Sequence, residues 1–87
     1  MKKLIFLLSD FGVKDTYTAQ MKTVIVSQLP PDMPVIDLTH EIGRGSVTEG
    51  AFHLYICRNV IPAGSVVVAV VDPGVGTDRR GVICEAD

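Results

Sequence analysis

The sequence VVVAVVDPG, residues 66–74, contains the clearest strand signal of the chain. Five of the six residues in Val66–Val71 are valine, whose branched side chain favours extended backbone. This apolar run stops at Asp72, and Pro73 and Gly74 then make a good turn sequence. The stretch predicts a strand that ends either in a plain turn or at the edge of a functional site.

Two shorter apolar runs nearer the N-terminus also predict strands. Leu4–Leu8 is continuously apolar, as expected of a strand covered on both faces, and Asp10 follows it closely. The run is too short for a secretory signal and no small-residue cleavage site follows it. Val35–Leu38 predicts the second strand, with His40 just after its end.

Two helices are predicted between these strands. Asp15 is the candidate N-cap of the first helix, and Pro30-Pro31 ends it. Ser46 and Glu49 fit a capping box at the start of the second. Residues at helical spacing should form the buried faces, namely Tyr17, Met21, Val24 and Ile25 in the first helix and Val47, Ala51, Leu54 and Tyr55 in the second.

The alternation of strands and helices predicts the α/β class. We expect a three-layer, Rossmann-like parallel sheet of β-α-β-α-β order with right-handed crossovers. A final strand over Gly81–Glu85 should run antiparallel, because the turn before it is too short for a parallel crossover. The 87 residues are enough for a single domain, residues 1–87. The last strand would leave an open edge, which predicts either an oligomer through that edge or a piece of something larger.

Composition excludes several classes of function. Hydrophobic residues make up 47% of the chain and the net charge is −2, which is typical of a globular protein and argues against nucleic-acid binding. No apolar run approaches the roughly 18 residues of a membrane span. Cys57 and Cys84 lie far apart without a CxxC motif, so we expect two small buried side chains and a cytoplasmic location.

The strand ends predict where a site would lie. Ligands of open parallel sheets bind outside the carboxyl ends of the strands, so Asp10, Asp72 and the Asp37–His40 group should converge on one edge. Each has a plainer interpretation: Asp10 as a turn residue that bonds a backbone N–H two residues on, and His40, like His53, as a surface or satisfied core histidine. No spacing supplies a convincing metal site.

The segment after Asp72 adds a possible charged partner. Arg79 lies seven residues further on, and a looped chain could return its guanidinium to the Asp72 carboxylate. Such a pair keeps the carboxylate ionised and oriented, so that it could position a water. The alternative is that Arg79 and Arg80 are solvated. Gly74-Val75-Gly76 does not make a dinucleotide fingerprint, because the third glycine is missing.

Four motifs carry a family resemblance. They are LSDFG at residues 8–12, VIDLTHEI at 35–42, EGA at 49–51 and VDPGVGTDRR at 71–80. In this order and spacing the chain resembles, over essentially its whole length, the N-terminal part of the S-adenosylmethionine hydrolases. These enzymes are also called hydroxide adenosyltransferases and are relatives of fluorinating and chlorinating enzymes.

The resemblance implies a reaction and roles for particular residues. Family members cleave S-adenosylmethionine at the ribose C5′ to give adenosine and methionine. Asp10, with Phe11 and Gly12 in the same motif, matches the substrate-binding acid that takes the ribose hydroxyls. Asp72 and Arg79 match two of the three catalytic residues that orient the attacking water. Halogenating relatives have a tyrosine at the Asp72 position, so the resemblance implies hydrolysis, with no metal and no cofactor besides the substrate.

The resemblance also implies that this chain supplies only part of a site. Family members are longer, have a second, mostly β domain, and place the third catalytic residue, a histidine, beyond residue 87. Their active sites form between subunits of a trimer. We therefore expect little activity from this chain alone, and a homo-oligomer or a partner chain that supplies the missing half. The alternative is a non-catalytic binding or assembly module, or a folded remnant that associates through its edge strand.

Overall fold

The computed structural model describes residues 3–73 and places them in a three-stranded parallel sheet with two helices. The elements are β1 (Ile5–Ser9), α1 (Tyr17–Ser27), β2 (Val35–Thr39), α2 (Val47–Cys57) and β3 (Val66–Val70). The predicted α/β class is confirmed, and each strand lies within one residue of its predicted bounds. The strand predicted over Gly81–Glu85 lies outside the described residues.

Strand β1 is the centre of the sheet, which has the order β2-β1-β3. All five residues of β1 are buried, as its continuous apolar sequence predicted. Four of them form the core together with Ile42. Because removing these side chains from water is the main stabilising term, β1 holds the domain together.

The two helices cover opposite faces of the sheet. Right-handed crossovers from β1 to β2 and then back past β1 to β3 require this arrangement. Lys22 of α1 contacts Asp37, the register partner of Leu7. On the other face, Gly50 of α2 lies against Leu8. Successive strand residues point to opposite faces, so the two contacts agree with the crossover rule.

The strand order creates a crevice at one place in the sheet. In a 2-1-3 order, the connection from β1 leads to a strand on one side of it, and the next connection leads to a strand on the other side. Ligands of such sheets bind where this switch occurs, outside the carboxyl ends of β1 and β3. Asp10 follows β1 and Asp72 lies two residues after β3. The topology therefore places these two residues at the expected ligand position.

Helix α1 differs from the prediction at its start and on its face. Its N-cap residue is Thr16, not Asp15, although the Asp15 Oδ1 accepts a hydrogen bond from the Tyr17 backbone nitrogen at 2.9 Å. The predicted buried face was wrong for Tyr17 and Val24, each 58% exposed. Tyr17 stacks on the Phe11 ring instead of contacting the sheet.

The capping box of α2 is half confirmed. The Ser46 Oγ accepts a hydrogen bond from the Glu49 backbone nitrogen at 3.3 Å, as predicted. The Glu49 carboxylate, however, accepts from the Gly43 backbone nitrogen at 2.8 Å. The Ser46 nitrogen donates to the Gly43 carbonyl instead. Glu49 thus fastens the loop before the helix rather than the cap residue itself.

Helix α2 rests on the sheet through a glycine. Gly50 is its buried residue, and a Cβ there would lie 3.1 Å from the Val71 Cγ2 and 3.7 Å from the Leu8 Cδ2. The predicted face was wrong for Val47, Ala51 and Tyr55, which are exposed. The missing side chain of Gly50 lets the helix backbone approach the strand ends directly.

Two smaller features bear on the sequence predictions. Cys57 is a free, half-buried thiol rather than a buried one, and Cys84 lies outside the described residues. Between residues 3 and 73, neither helix has the length and apolar character needed to cross a membrane.

Candidate functional site

Asp10 joins the ends of the strands. Its backbone nitrogen donates to the Val70 carbonyl at 3.2 Å, which extends the pairing of β1 and β3 by one residue. Its Oδ2 accepts from the Gly45 backbone nitrogen at 2.7 Å and, at a longer 3.4 Å, from that of Asp72. The carboxylate therefore lies in the crevice between β1 and β3, as the strand ends predicted.

The plain turn interpretation of Asp10 was wrong. The backbone nitrogen two residues after Asp10, that of Gly12, donates to the His40 carbonyl at 2.6 Å, and the Phe11 nitrogen donates to the Ser9 hydroxyl at 3.2 Å. Ser9 therefore makes the local turn contact, and the Asp10 side chain is directed to residues 35 and 62 positions away.

Gly45 is a site residue that was not predicted from the sequence. Its φ is +69°, a conformation that favours glycine, and a Cβ there would lie 3.1 Å from the Pro73 Cα. Glycine thus allows the loop before α2 to approach both Asp10 and Pro73. The signal was present in Gly43 and Gly45, two glycines between β2 and α2, but only the structure shows what they approach.

The Asp10 carboxylate is oriented by its partners. Both hydrogen bonds use Oδ2, and among residues 3–73 no donor is bound to Oδ1. The residue is half-buried, so this second oxygen is accessible to a small molecule. A fixed carboxylate with an available oxygen is suited to bind hydroxyl groups.

The loop after Asp10 is held on two sides. The Gly12 nitrogen donates to the His40 carbonyl at 2.6 Å, and the Thr18 hydroxyl donates to the Gly12 carbonyl at 2.8 Å. The Phe11 ring stacks on Tyr17 with centroids 4.7 Å apart. These contacts hold Phe11 and Gly12, which were predicted to bind substrate, next to Asp10.

Asp72 reaches the same crevice from β3. It is half-buried and its backbone nitrogen points at the Asp10 carboxylate. Arg79 lies outside the described residues, so its pairing with Asp72 stays a prediction. The Asp10 carboxylate therefore has the backbone of Asp72 as a neighbour at the end of β3.

A second polar cluster lies on the α1 side of the sheet. The Ser9 Oγ is 2.6 Å from the His40 Nδ1, and the His40 Nε2 is 2.9 Å from the Asp37 Oδ1. The Lys22 Nζ is 2.9 Å from the Asp37 Oδ2. Ser9 and His40 are buried, at 0% and 4% exposure. His40 is thus a satisfied core histidine, one of the two interpretations the sequence left open.

An irregularity in the sheet builds this cluster. Leu7 pairs with Asp37, but Leu8 pairs with Thr39, so β2 contains one extra residue at this point. Residues three apart in a regular strand point to opposite faces. The extra residue puts Asp37 and His40 on the same face, where they bond each other and Ser9.

The surroundings of Asp37 lower its pKa. Partial burial raises the pKa, and the hydrogen bonds and charges of His40 and Lys22 outweigh that effect. The carboxylate is therefore held ionised, as a hydrogen-bond acceptor for both partners.

The Ser9–His40–Asp37 cluster has the composition of a hydrolytic triad but not its accessibility. Ser9 is fully buried, so no substrate carbonyl can reach its hydroxyl. His53 does not contribute to either cluster; it lies on α2, 4.0 Å from Glu49. Among residues 3–73 no three His, Cys, Asp or Glu side chains are grouped to hold a metal ion.

Comparison with protein families decides the relationship. The model of the SAM hydroxide adenosyltransferase N-terminal domain matches residues 5–87. The chain belongs to this family. The predicted resemblance is therefore confirmed, and the motifs around Asp10 and Asp72 lie within the matched domain.

Named relatives agree. The chain is 42% identical over 78 residues to an (R)-S-adenosyl-L-methionine hydrolase of Thermus thermophilus, covering 90% of this chain and 30% of the relative. A fluorinase of Nocardia brasiliensis is 31% identical over 81 residues, covering 93% of this chain and 27% of the relative. The chain thus spans about a third or less of the length of these relatives.

A solved structure shows the same fold. A conserved hypothetical protein from Thermus thermophilus superposes with a TM-score of 0.77 at 41% identity, covering 92% of this chain and 33% of that chain. The arrangement of the strands and helices is therefore shared with that protein.

Proposed function

We propose that this chain supplies the adenosyl-binding part of a site that converts S-adenosylmethionine and water to adenosine and methionine. The observation that supports it most is the Asp10 carboxylate, fixed through Oδ2 by Gly45 and Asp72 in the crevice between β1 and β3. A carboxylate accepts hydrogen bonds without donating any, so it suits the two neighbouring hydroxyls of a ribose.

Asp72 would act on the attacking water. In-line displacement at the ribose C5′ needs a water opposite the sulfonium leaving group. Asp72, two residues beyond β3 and oriented by Arg79, would accept a hydrogen bond from that water and place it. The sulfonium cation is also attracted by the Asp10 carboxylate of the crevice.

Hydrolysis is favoured over halide transfer. The identity is 42% with the named hydrolase and 31% with the named fluorinase. The chain also has aspartate at position 72, where the resemblance places tyrosine in halogenating relatives. A carboxylate repels a halide ion and accepts a hydrogen bond from water, so this position suits a water nucleophile.

We place the protein in the cytoplasm, where the free thiol of Cys57 would stay reduced, and assign it no cofactor besides the substrate.

Calorimetric titration with adenosine tests the binding function. We expect saturable binding of adenosine and much weaker binding of 2′,3′-dideoxyadenosine, which lacks both ribose hydroxyls. Asp10→Asn should weaken adenosine binding about tenfold or more, since hydrogen bonds to a charged group contribute about 1.5–3 kcal/mol. Asp32→Asn, at an exposed aspartate, is the control. Equal binding of the two nucleosides would refute the role of Asp10.

A second candidate function is assembly. Helix α2 exposes Phe52, Tyr55 and Ile56, each by more than half. Large apolar side chains grouped on one surface favour contact with another chain. We propose a homo-oligomer or a complex with a partner chain. A clean monomer in analytical ultracentrifugation at micromolar concentration would contradict the homo-oligomer.

A further inference from the structure

We propose that Ser9 and His40 are positioning residues for Asp10, joined by a neutral His40 ring that carries its proton on Nε2. The inference rests on the proposed function for its consequence in ligand binding, and on the hydrogen bonds of the cluster for everything else. It concerns residues that touch no ligand and act through the backbone on either side of Asp10.

The directions of the hydrogen bonds follow from the atoms present. An ionised carboxylate accepts only, so Asp37 Oδ1 requires His40 Nε2 to donate. The Ser9 Oγ already accepts from the Phe11 nitrogen. Among residues 3–73 no acceptor other than the His40 Nδ1, 2.6 Å away, is bound to this hydroxyl, so the hydroxyl proton goes to that nitrogen, which accepts it when the ring is neutral.

This assignment satisfies the buried groups together. Among residues 3–73 no buried side-chain nitrogen or oxygen lacks a hydrogen-bond partner. The opposite tautomer would turn a ring N–H toward Ser9 and face the bare Nε2 lone pair toward Asp37. Two facing acceptors cost more at a buried site than in water, because the local dielectric is low.

The cluster fixes the backbone on both sides of Asp10. Ser9 precedes it, and its carbonyl accepts from the Ile42 nitrogen at 3.4 Å. On the far side, the Ser9 hydroxyl holds the Phe11 nitrogen and the His40 carbonyl holds the Gly12 nitrogen. With these peptide groups fixed, the Asp10 carboxylate is aimed at the crevice before a ligand arrives.

Lys22 completes the cluster from outside. Its ammonium group and Asp37 form an ion pair in which both side chains are more than a third exposed. The hydrogen bonds therefore run from a partly solvated ion pair to the fully buried Ser9. Asp37 lies at the partly exposed end of the cluster and contacts Ser9 only through His40.

The first test measures the His40 tautomer. Long-range proton–nitrogen NMR of the isotope-labelled 87-residue chain reports which ring nitrogen carries the proton. We expect a neutral Nε2–H ring for His40, with the half-exposed His53 as an internal reference. A proton on Nδ1, or a tautomer mixture equal to that of His53, would overturn the inference. This readout needs no ligand.

The second test measures adenosine binding. Ser9→Ala removes the hydroxyl between His40 and Phe11, and Ser27→Ala is the matched control, because the Ser27 hydroxyl donates only to a carbonyl of its own helix. We expect Ser9→Ala to weaken binding about tenfold, the usual order for one buried hydrogen-bond group, and Ser27→Ala to leave it unchanged.

The outcomes separate the two proposals. If the wild-type chain binds no adenosine, the proposed function fails. The NMR measurement of the His40 tautomer then tests this inference by itself. If wild type binds and folded Ser9→Ala binds equally well, the inference fails and the proposed function stands. Should Ser9→Ala not fold, Asp37→Asn replaces it. We expect that variant to alter the His40 tautomer signal and weaken binding several-fold, and no change in either would refute the inference.

Discussion

The Oδ2 atom of Asp10 lies 3.4 Å from the backbone nitrogen of Asp72, across 62 positions of sequence. This contact joins the carboxyl ends of β1 and β3 at the point where the strand order reverses. The shorter bond from Gly45, at 2.7 Å, adds the loop that follows β2. The Asp10 carboxylate thus joins the loops that follow all three strands, and the proposed adenosyl site depends on these contacts.

Replacing Gly45 with alanine should destabilise the chain and weaken the site. The left-handed backbone alone costs a non-glycine residue about 1–2 kcal/mol. The new Cβ would also lie 3.1 Å from the Pro73 Cα, which is backbone and cannot rotate away. Urea unfolding measures the effect.

Gly64→Ala is the matched control for Gly45→Ala. Gly64 also has a positive φ, +85°, but a Cβ there would meet only the flexible Lys3 side chain at 3.5 Å. We expect Gly45→Ala to lose more unfolding free energy than Gly64→Ala. Equal losses of unfolding free energy would show that the contact with Pro73 does not contribute to stability.

Gly50→Leu should separate α2 from the sheet. The added side chain would overlap Val71 and Leu8, and overpacking of this kind typically costs about 1–3 kcal/mol. Thr48→Leu, at an exposed position of the same helix, should change stability by no more than about 0.5 kcal/mol. Thermal unfolding followed by circular dichroism compares the two, and similar melting temperatures would contradict the contact.

Asp37 should stabilise the fold in a pH-dependent way. Its pKa is lowered in the folded state, because His40 and Lys22 outweigh the effect of partial burial. A lowered carboxyl pKa stabilises the fold above the unfolded pKa of about 3.9, and this stabilisation is lost as the pH falls through the folded pKa. The gap in unfolding free energy between wild type and Asp37→Asn should therefore shrink from neutral pH to about pH 3. A gap that stays constant would contradict the shift.

The strands and the meeting of Asp10 with Asp72 were predictable because both follow from local rules. A continuous apolar run such as Leu4–Leu8 identifies a buried strand. The crossover rule then brings the ends of parallel strands to one edge. Neither step requires knowing which atoms touch.

The remaining features depend on contacts between distant segments. The extra residue in β2, which puts Asp37 and His40 on one face, depends on how β2 registers with β1. The hydrogen bond from Gly45 depends on where the loop before α2 lies over β3. The predicted buried faces of the helices were wrong for a similar reason. Helical spacing groups Tyr17 with Val24, but it does not tell whether the sheet covers that group.

The most direct test is a proton–nitrogen NMR titration of the labelled chain with S-adenosylmethionine. We predict saturable chemical-shift changes concentrated at the amides of Phe11, Gly45 and Asp72, which surround the Asp10 carboxylate. Gln28, at the far end of α1, should not move. A well-dispersed spectrum without saturable shifts at millimolar ligand would contradict the claim that this chain holds an adenosyl-binding site.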